Sequence, residues 1–136
     1  MKNIELIIGR VLLAHIFLLA GITKITGYTG TQGYMEAVGL PGMLLPAVIA
    51  LEIGGGLALV LGWFNRIAAY GLAIFTLVAA ALFHSNFAEQ MQVLLFMKNI
   101  AMAGGLVVLA GTGPGRFSID HMMSGITSDI TSGAGG

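Results

Sequence analysis

Four long apolar segments, separated by shorter polar or glycine-rich stretches, set the pattern of this chain. They cover about residues 4–23, 43–64, 67–83 and 91–110. An α-helix of about twenty apolar residues is long enough to cross the ~30 Å hydrocarbon core of a bilayer. The pattern therefore predicts an all-α membrane protein whose four transmembrane helices form a bundle.

The connections between these segments predict how the helices are arranged. Residues 25–42 are rich in glycine and include Pro41, so a continuous helix cannot cross them. We expect a short interfacial segment there, with a helix over about residues 34–38, which acts either as a simple loop or as a lid. Asn65 and Arg66 are the whole link between the second and third spans, which makes these spans an antiparallel hairpin.

The last residues of the chain differ in composition from the rest. Ser, Thr and Gly dominate residues 121–136. Such a segment buries too little apolar surface to offset the entropy of ordering it, so we predict a disordered tail. The predicted organisation is one transmembrane domain over residues 1–120, followed by that tail.

Composition and charge exclude several classes of function. Of the 136 residues, 57% are hydrophobic and 9% are charged, whereas a soluble domain carries about 25% charged residues. Six basic and six acidic residues cancel, so no basic field attracts nucleic acid, and the predicted partner is the lipid bilayer. The chain has no cysteine, which excludes disulfides and thiolate metal ligands within it.

The distribution of charge also predicts the orientation in the membrane. Four spans place both termini on one side. That side carries Lys2, Arg66 and Arg116, with Arg10 nearby. On the opposite side, two glutamates accompany Lys24. The positive-inside rule then predicts cytoplasmic termini.

Polar side chains in the spans or at their ends are the candidates for a binding site: Arg10, Glu52, His84, Lys98 and Asn99. A charge within a bilayer costs at least ~2.5–3.5 kcal/mol on insertion scales, so it normally faces protein or water and has a partner. One interpretation is a pocket for a quinone-like head group, in which lysine or arginine donates to the carbonyl oxygens and Glu52 or His84 exchanges protons. The other interpretation is a structural ion pair between Glu52 and either Arg10 or Lys98.

One face of the first span carries both of its lysine and arginine candidates, together with an aromatic residue and a glycine. Arg10, Phe17, Gly21 and Lys24 follow one another by steps of seven, four and three residues, so they share a helical face. We interpret Lys24 as an interfacial residue whose ammonium reaches water along the membrane surface.

Five glycines inside the spans are predicted to serve helix packing, because a residue without Cβ lets another helix approach closely. They are Gly54, Gly55, Gly56, Gly104 and Gly105.

Haem and metal sites are disfavoured by the positions of the histidines. His15 and His84 differ in estimated depth, no motif accompanies them, and His15 alone on an apolar face is typical of a packed core histidine. Scattered His and Glu residues also lack the spacing of metal ligands, so no metal site is predicted.

Several short motifs, taken in order along the chain, resemble those of the DoxX family of small bacterial inner-membrane proteins. The resemblance covers nearly the whole of residues 4–120. The matching pieces are Arg10, Gly21 with Lys24, Gly39 with Pro41, Glu52 with Gly54–Gly56, Gly62 with Arg66, His84-Ser85-Asn86, Lys98-Asn99, and Gly113-Pro114-Gly115 with Ser118 and Asp120. The resemblance implies a four-helix membrane bundle in the bacterial inner membrane. The family name comes from subunits of a thiosulfate:quinone oxidoreductase, and other members are associated with oxidative or quinone stress.

Two hypotheses of function follow from the residues and the resemblance. The first is a redox-associated protein that binds a quinone or another lipophilic molecule among its helices, at most as an accessory or subunit of a membrane oxidoreductase. The second is a non-enzymatic scaffold, assembly or small-solute permeation protein whose buried charges hold the bundle. Four spans bury few surfaces completely, so a homo-oligomer or a partner subunit is compatible with both.

Overall fold

The structure is a computed structural model, and it describes residues 2–134, with side chains described for residues 3–130. Its helices are α1 (Lys2–Thr26), α2 (Tyr28–Ala37), α3 (Leu45–Leu61), α4 (Asn65–Phe83), α5 (Gln90–Thr112) and α6 (Ile119–Ala134), with a 3-10 turn (Gly42–Leu44) before α3. The described residues form no strand. Four helical segments are long and apolar enough to cross a membrane: Asn3–Thr26, Gly42–Leu61, Asn65–Phe83 and Gln90–Thr112. The predicted all-α fold with four apolar spans is confirmed.

The bundle is built from two closely packed helix pairs. Helix α1 packs along α3, and α4 packs along α5, while α3 and α4 join the two pairs. Small and branched side chains fill the core where the pairs meet: Ala14, Phe17, Leu59, Ala69, Leu72, Ala73, Ala103, Leu106, Leu109 and Ala110. Alanines at these positions let the helices approach closely, which stabilises association in a membrane through packing.

One end of the bundle, here called the terminal end, is formed by Asn3, the α3–α4 turn at residues 62–64, and residues 113–120. Asn3 Oδ1 accepts a hydrogen bond of 3.0 Å from the Arg116 backbone N–H. The N-terminus and the segment after α5 therefore lie at the same end, as four spans require. The opposite end, here called the cavity end, carries α2 and residues 84–89.

The α3–α4 turn is fixed from a distance by a carboxylate. Gly62 ends α3 with φ +68°, and Phe64 also adopts a left-handed conformation, at φ 48°. Asp120 Oδ1 and Oδ2 accept hydrogen bonds of 2.8 Å from the backbone N–H groups of Phe64 and Asn65, respectively. An anion here satisfies the free donors at the start of α4 and interacts favourably with the helix dipole.

The interfacial segment between the first two spans forms a longer helix than the sequence predicts. Helix α2 begins at Tyr28 rather than near residue 34 and continues through two glycines. Gly39, at φ +89°, follows its end. Met35 is buried beneath it, and Gln32 Nε2 donates to the Gly42 carbonyl at 3.2 Å. The segment is thus anchored over the cavity end, in the manner of a lid.

The C-terminal segment differs from the sequence prediction of a disordered tail over residues 121–136. The structure has helix α6 there, and residues 135–136 lie outside the described part. Its apolar residues recur at helical spacing, a pattern that the composition concealed: Ile119, Met122, Met123, Ile126 and Ile130. Ser118 Oγ caps the helix by accepting from the His121 N–H at 3.1 Å. All side chains from His121 to Ile130 are exposed, so local pattern and capping account for this helix, rather than burial.

The predicted packing glycines divide into two groups. A Cβ at Gly55 would lie 3.0 Å from Leu72, and a Cβ at Gly56 would lie 2.9 Å from Leu18. A Cβ at Gly105 would lie 3.4 Å from Leu13. These three glycines sit where α4 or α1 comes close. The other two, Gly54 and Gly104, are exposed, with nothing within 4 Å of a Cβ built on them.

Candidate ligand-binding cavity

The centre of the site is an ion pair between α1 and α3. Lys24 Nζ lies 2.7 Å from Glu52 Oε1, and the Glu52 side chain is 3% exposed. Gly21 explains how the two helices come so close, because a Cβ there would lie 2.5 Å from Ile53 Cγ1. Lys24 follows Gly21 by three residues on the same helical face, which directs it at Glu52.

The partner of Glu52 therefore differs from the sequence interpretation. The structural interpretation of the sequence paired Glu52 with Arg10 or Lys98, and it treated Lys24 as interfacial. The pairing depends on how the helices are rotated about their axes, which the span boundaries do not define. The Gly21-x-x-Lys24 spacing was the available signal, since it placed Lys24 on the same face as a close-contact glycine.

A cavity of about 800 Å³ lies beside this ion pair, between the two helix pairs and beneath α2. All five helices from α1 to α5 contribute to its wall. Much of the wall is apolar, with Phe17, Met35, Val48, Phe75, Leu95 and Met102 among its members. Its polar members include Lys24, Glu52, Thr76, His84, Lys98 and Asn99. A concave, mainly apolar pocket with a few converging polar groups is typical of small-molecule sites.

Thr76, one of the residues that line the cavity, has a buried hydroxyl without a hydrogen-bond partner. Its side chain is 2% exposed, and its Oγ1 has no hydrogen-bond partner in the described structure. Helical threonines often bond to the carbonyl of the preceding turn. Asn99 Nδ2 instead donates to the Thr76 backbone carbonyl at 3.3 Å, which links α5 to α4. The sequence did not single out Thr76, because nothing in the local pattern distinguishes it from a packing residue.

Lys98 and His84 occupy the wall on the α4–α5 side. His84 Nδ1 donates to Gln92 Oε1 at 3.3 Å, which fixes the ring at the end of α4. Lys98 projects from α5 one residue before Asn99. Lys98 has no carboxylate partner among the described side chains.

The rim of the cavity is formed in part by an aromatic contact between α2 and α4. The Tyr34 and Phe83 rings stack, with centroids 5.0 Å apart and planes at 20°. Both rings contribute to the cavity wall, as do Ile16 and Val78, which are 40% and 51% exposed. The cavity is partly open towards the surface where these side chains lie.

Arg10, proposed from the sequence as a pocket residue, lies at the terminal end, outside the cavity wall. Its side chain is 2% exposed, and Nη2 donates to the Phe117 carbonyl at 2.6 Å. The guanidinium fills the space that a Cβ on Gly62 would occupy, next to Ser118. The structure thus brings together four of the five candidates, Glu52, His84, Lys98 and Asn99, and separates Arg10 from them.

The histidines do not come together either. His15, interpreted from the sequence as a packed core residue, is exposed, and its ring bonds to the Leu12 carbonyl one turn earlier in α1. His84 belongs to the cavity wall, whereas His15 does not. Within the described residues, no group of three or more His, Cys, Asp or Glu side chains is placed to hold a metal ion.

Comparison with known proteins agrees with the architecture. The sequence profile of the DoxX family matches residues 5–85. The chain is 51% identical over 124 residues to inner membrane protein YqjF of Escherichia coli K12, covering 91% of this chain and 95% of the relative. It is 35% identical over 127 residues to inner membrane protein YphA of the same organism, covering 88% of this chain and 91% of the relative. No solved structure matches. With four apolar spans and these relatives, the chain is a multi-pass inner-membrane protein that belongs to the DoxX family.

Proposed function

We propose that this protein binds a lipophilic molecule with a quinone-like head group in the cavity at the cavity end of the bundle. The observation that carries the proposal is the cavity itself, which combines apolar walls with a polar cluster around Glu52 and Lys24. Its volume of about 800 Å³ falls within the range of roughly 300–1,000 Å³ that ligand pockets occupy.

The residues present suit a head group that carries oxygen atoms. Lys98 and the unpartnered Thr76 hydroxyl can donate to such oxygens, and the apolar wall can surround an attached hydrocarbon tail. A bound quinone would supply an electron-accepting ring. The chain's own residues would bind and orient that ring, exclude water, and exchange protons at the Glu52 carboxylate or the His84 ring. An electron donor would have to come from a partner, so the protein acts as an accessory or subunit of a membrane oxidoreductase.

Organic extraction of gently purified protein, followed by quantitative mass spectrometry, tests this proposal. We expect a stoichiometric lipophilic compound with the wild type and a loss of at least ~90% with Glu52→Gln and Lys98→Met, since each removes a charged contact. Glu5→Gln and Arg116→Met are the matched controls, because they remove the same charges near the terminal end. Size-exclusion chromatography establishes that each variant is folded.

A second candidate function is a scaffold or permeation protein whose charges hold the helices. The terminal end favours it, because Arg10 and Asp120 there bond to the protein's own backbone. In that case the wild type carries no extractable ligand, and Glu52→Gln lowers stability or oligomeric order instead. That outcome would remove the ligand-binding proposal.

We also propose that the terminal end faces the cytoplasm, on the basis of the basic residues near it. The absence of cysteine makes a clean test available with two single variants, Ser124→Cys and Glu89→Cys. A membrane-impermeant maleimide should label Glu89→Cys in intact spheroplasts and Ser124→Cys only after permeabilisation. The reverse pattern would invert the assignment.

A further inference from the structure

We infer that the ligand of this cavity carries a negative charge: it is an amphiphile with one acidic oxygen group, such as a carboxylate, an ionised ring hydroxyl or a phosphate, on an apolar tail. The inference rests on the proposed function in one respect, that this cavity binds a lipophilic molecule, and it specifies a charged head group for that molecule. It goes beyond that proposal because a quinone itself is uncharged.

The charge balance of the wall is the first argument. Two lysines and one glutamate line the cavity, Lys24, Lys98 and Glu52, and no other Asp, Glu, Arg or Lys is among the lining residues. Lys24 and Glu52 neutralise each other at 2.7 Å. Among the Asp, Glu, Arg and Lys side chains of the wall, one positive charge, on Lys98, is therefore left uncompensated. The other carboxylates of the cavity end, Glu36 and Glu89, do not belong to the wall.

The depth of Lys98 is the second argument. Helix α5 begins at Gln90, and eight residues at 1.5 Å each place Lys98 about 12 Å along the helix axis. Lys98 is exposed on the bundle itself, so at that depth it lies in the membrane region, where an ammonium loses much of its hydration unless a counter-charge or water accompanies it. A ligand oxyanion in the cavity would provide the counter-charge that the described residues do not.

The distribution of donors is the third argument. The Thr76 hydroxyl has no partner and is almost fully buried in the wall. Of the acceptors nearby, the Glu52 carboxylate is ion-paired with Lys24, and the Thr76 carbonyl accepts from Asn99 Nδ2. The lining residues Lys98 and Thr76 thus carry donors that no described acceptor holds. An oxyanion accepts hydrogen bonds from both kinds of group, and bonds to an ionised acceptor are shorter and stronger than neutral ones.

Binding of matched test compounds to protein in zwitterionic lipid nanodiscs tests the inference. The compounds are dodecanoate, methyl dodecanoate, dodecylamine and a decyl-substituted benzoquinone, with binding measured by native mass spectrometry. We expect dodecanoate to bind roughly tenfold or more tightly than its methyl ester, and dodecylamine to bind least. Lys98→Met should abolish the preference for the carboxylate and Lys98→Arg should retain it, while Arg116→Met should leave it unchanged.

The outcomes separate this inference from the proposed function. If the decyl benzoquinone binds the wild type but dodecanoate and its ester bind equally, the cavity is a ligand site and the charge inference is wrong. The charge inference is also wrong if the preference for dodecanoate survives Lys98→Met. If no compound binds saturably, the proposed function itself fails. Repeating the titration with phosphatidylglycerol in the nanodiscs distinguishes the source of the anion: competition identifies a membrane phospholipid, and no competition identifies a separate amphiphilic acid.

Discussion

The two ends of this bundle use buried charge in opposite ways. At the terminal end, Arg10 bonds to the Phe117 carbonyl, and Asp120 bonds to the first N–H groups of α4. At the cavity end, Lys24 and Glu52 bond to each other beside an open volume of about 800 Å³. Charges that bond to backbone groups are held in place by the fold, whereas charges that line a large cavity can exchange partners. On this comparison we predict a structural role for the charges of the first end and ligand binding at the second.

The largest effect on stability is expected from Arg10→Met. This change leaves the Phe117 carbonyl without its donor and removes a buried positive charge that acts on Asp120. We expect a loss of about 3 kcal/mol in the free energy of unfolding, measured by denaturant titration in mild detergent. Arg66→Met is the control, because Arg66 is exposed and lies 5.8 Å from the Tyr70 ring centroid. A similar loss for both variants would contradict the structural role of Arg10.

The next largest effect is expected from Asp120→Asn. The amide keeps one acceptor oxygen, so one of the two bonds to the α4 start is lost together with the favourable charge at the helix dipole. We expect a loss of about 1–2 kcal/mol in the same titration, with ligand occupancy unchanged. Glu36→Gln removes an exposed carboxylate from α2 and should have almost no effect. A loss of bound ligand in Asp120→Asn would show that the two ends are coupled.

Glu52→Gln should affect stability less than Arg10→Met, although it also removes a buried charge. Its partner Lys24 has a side chain that is 26% exposed, so the freed ammonium can regain hydration. We expect about 1 kcal/mol of destabilisation. Thermal unfolding with and without the decyl benzoquinone then reports on binding, and the ligand-induced rise in Tm should disappear in Glu52→Gln. Equal losses of stability in Glu52→Gln and Arg10→Met would indicate that the buried charges have a structural role at both ends.

Thr76→Val is expected to have the smallest effect on stability. Its effect on ligand affinity separates a binding role from a structural role most clearly. This change replaces an unpartnered buried hydroxyl by a methyl group of similar size, so stability should stay the same or rise by up to about 1 kcal/mol. If the hydroxyl donates to a ligand, affinity should fall several-fold at the same time. Native mass spectrometry of the nanodisc complexes measures the affinity. A destabilised variant with full affinity would contradict a binding role for Thr76.

The sequence predicts the fold well because hydropathy and helix length are local properties. Each apolar segment corresponds to a spanning helix, and the face of α1 that carries Arg10, Phe17 and Gly21 is the buried one. The same logic misses α6, because its apolar residues are few and are spaced by three and four among Ser, Thr and Gly. Composition alone therefore underestimates its capacity to form an amphipathic helix.

The site is predicted less completely because it depends on contacts between helices. Residue type singled out Glu52, Lys98, Asn99 and His84, and all four line one cavity. The sequence interpretation paired Glu52 with Arg10 or Lys98 and left out Lys24, although Lys24 and Arg10 lie on the same face of α1. Their separation by fourteen residues, roughly 21 Å along a helix, places them near opposite ends of the bundle. Thr76 and Tyr34 line the cavity because of how α2, α4 and α5 pack together, which the sequence pattern does not specify.

Hydrogen–deuterium exchange of the protein in nanodiscs, with and without the decyl benzoquinone, tests the separation of the two ends most directly. We predict slow exchange at residues 62–66 and 113–120 in both states, because long-range hydrogen bonds hold these segments. We predict faster exchange in α2 and residues 84–90, which slows when the compound binds. Protection that appears equally at both ends, or at the terminal end alone, would contradict the assignment of binding to the cavity end.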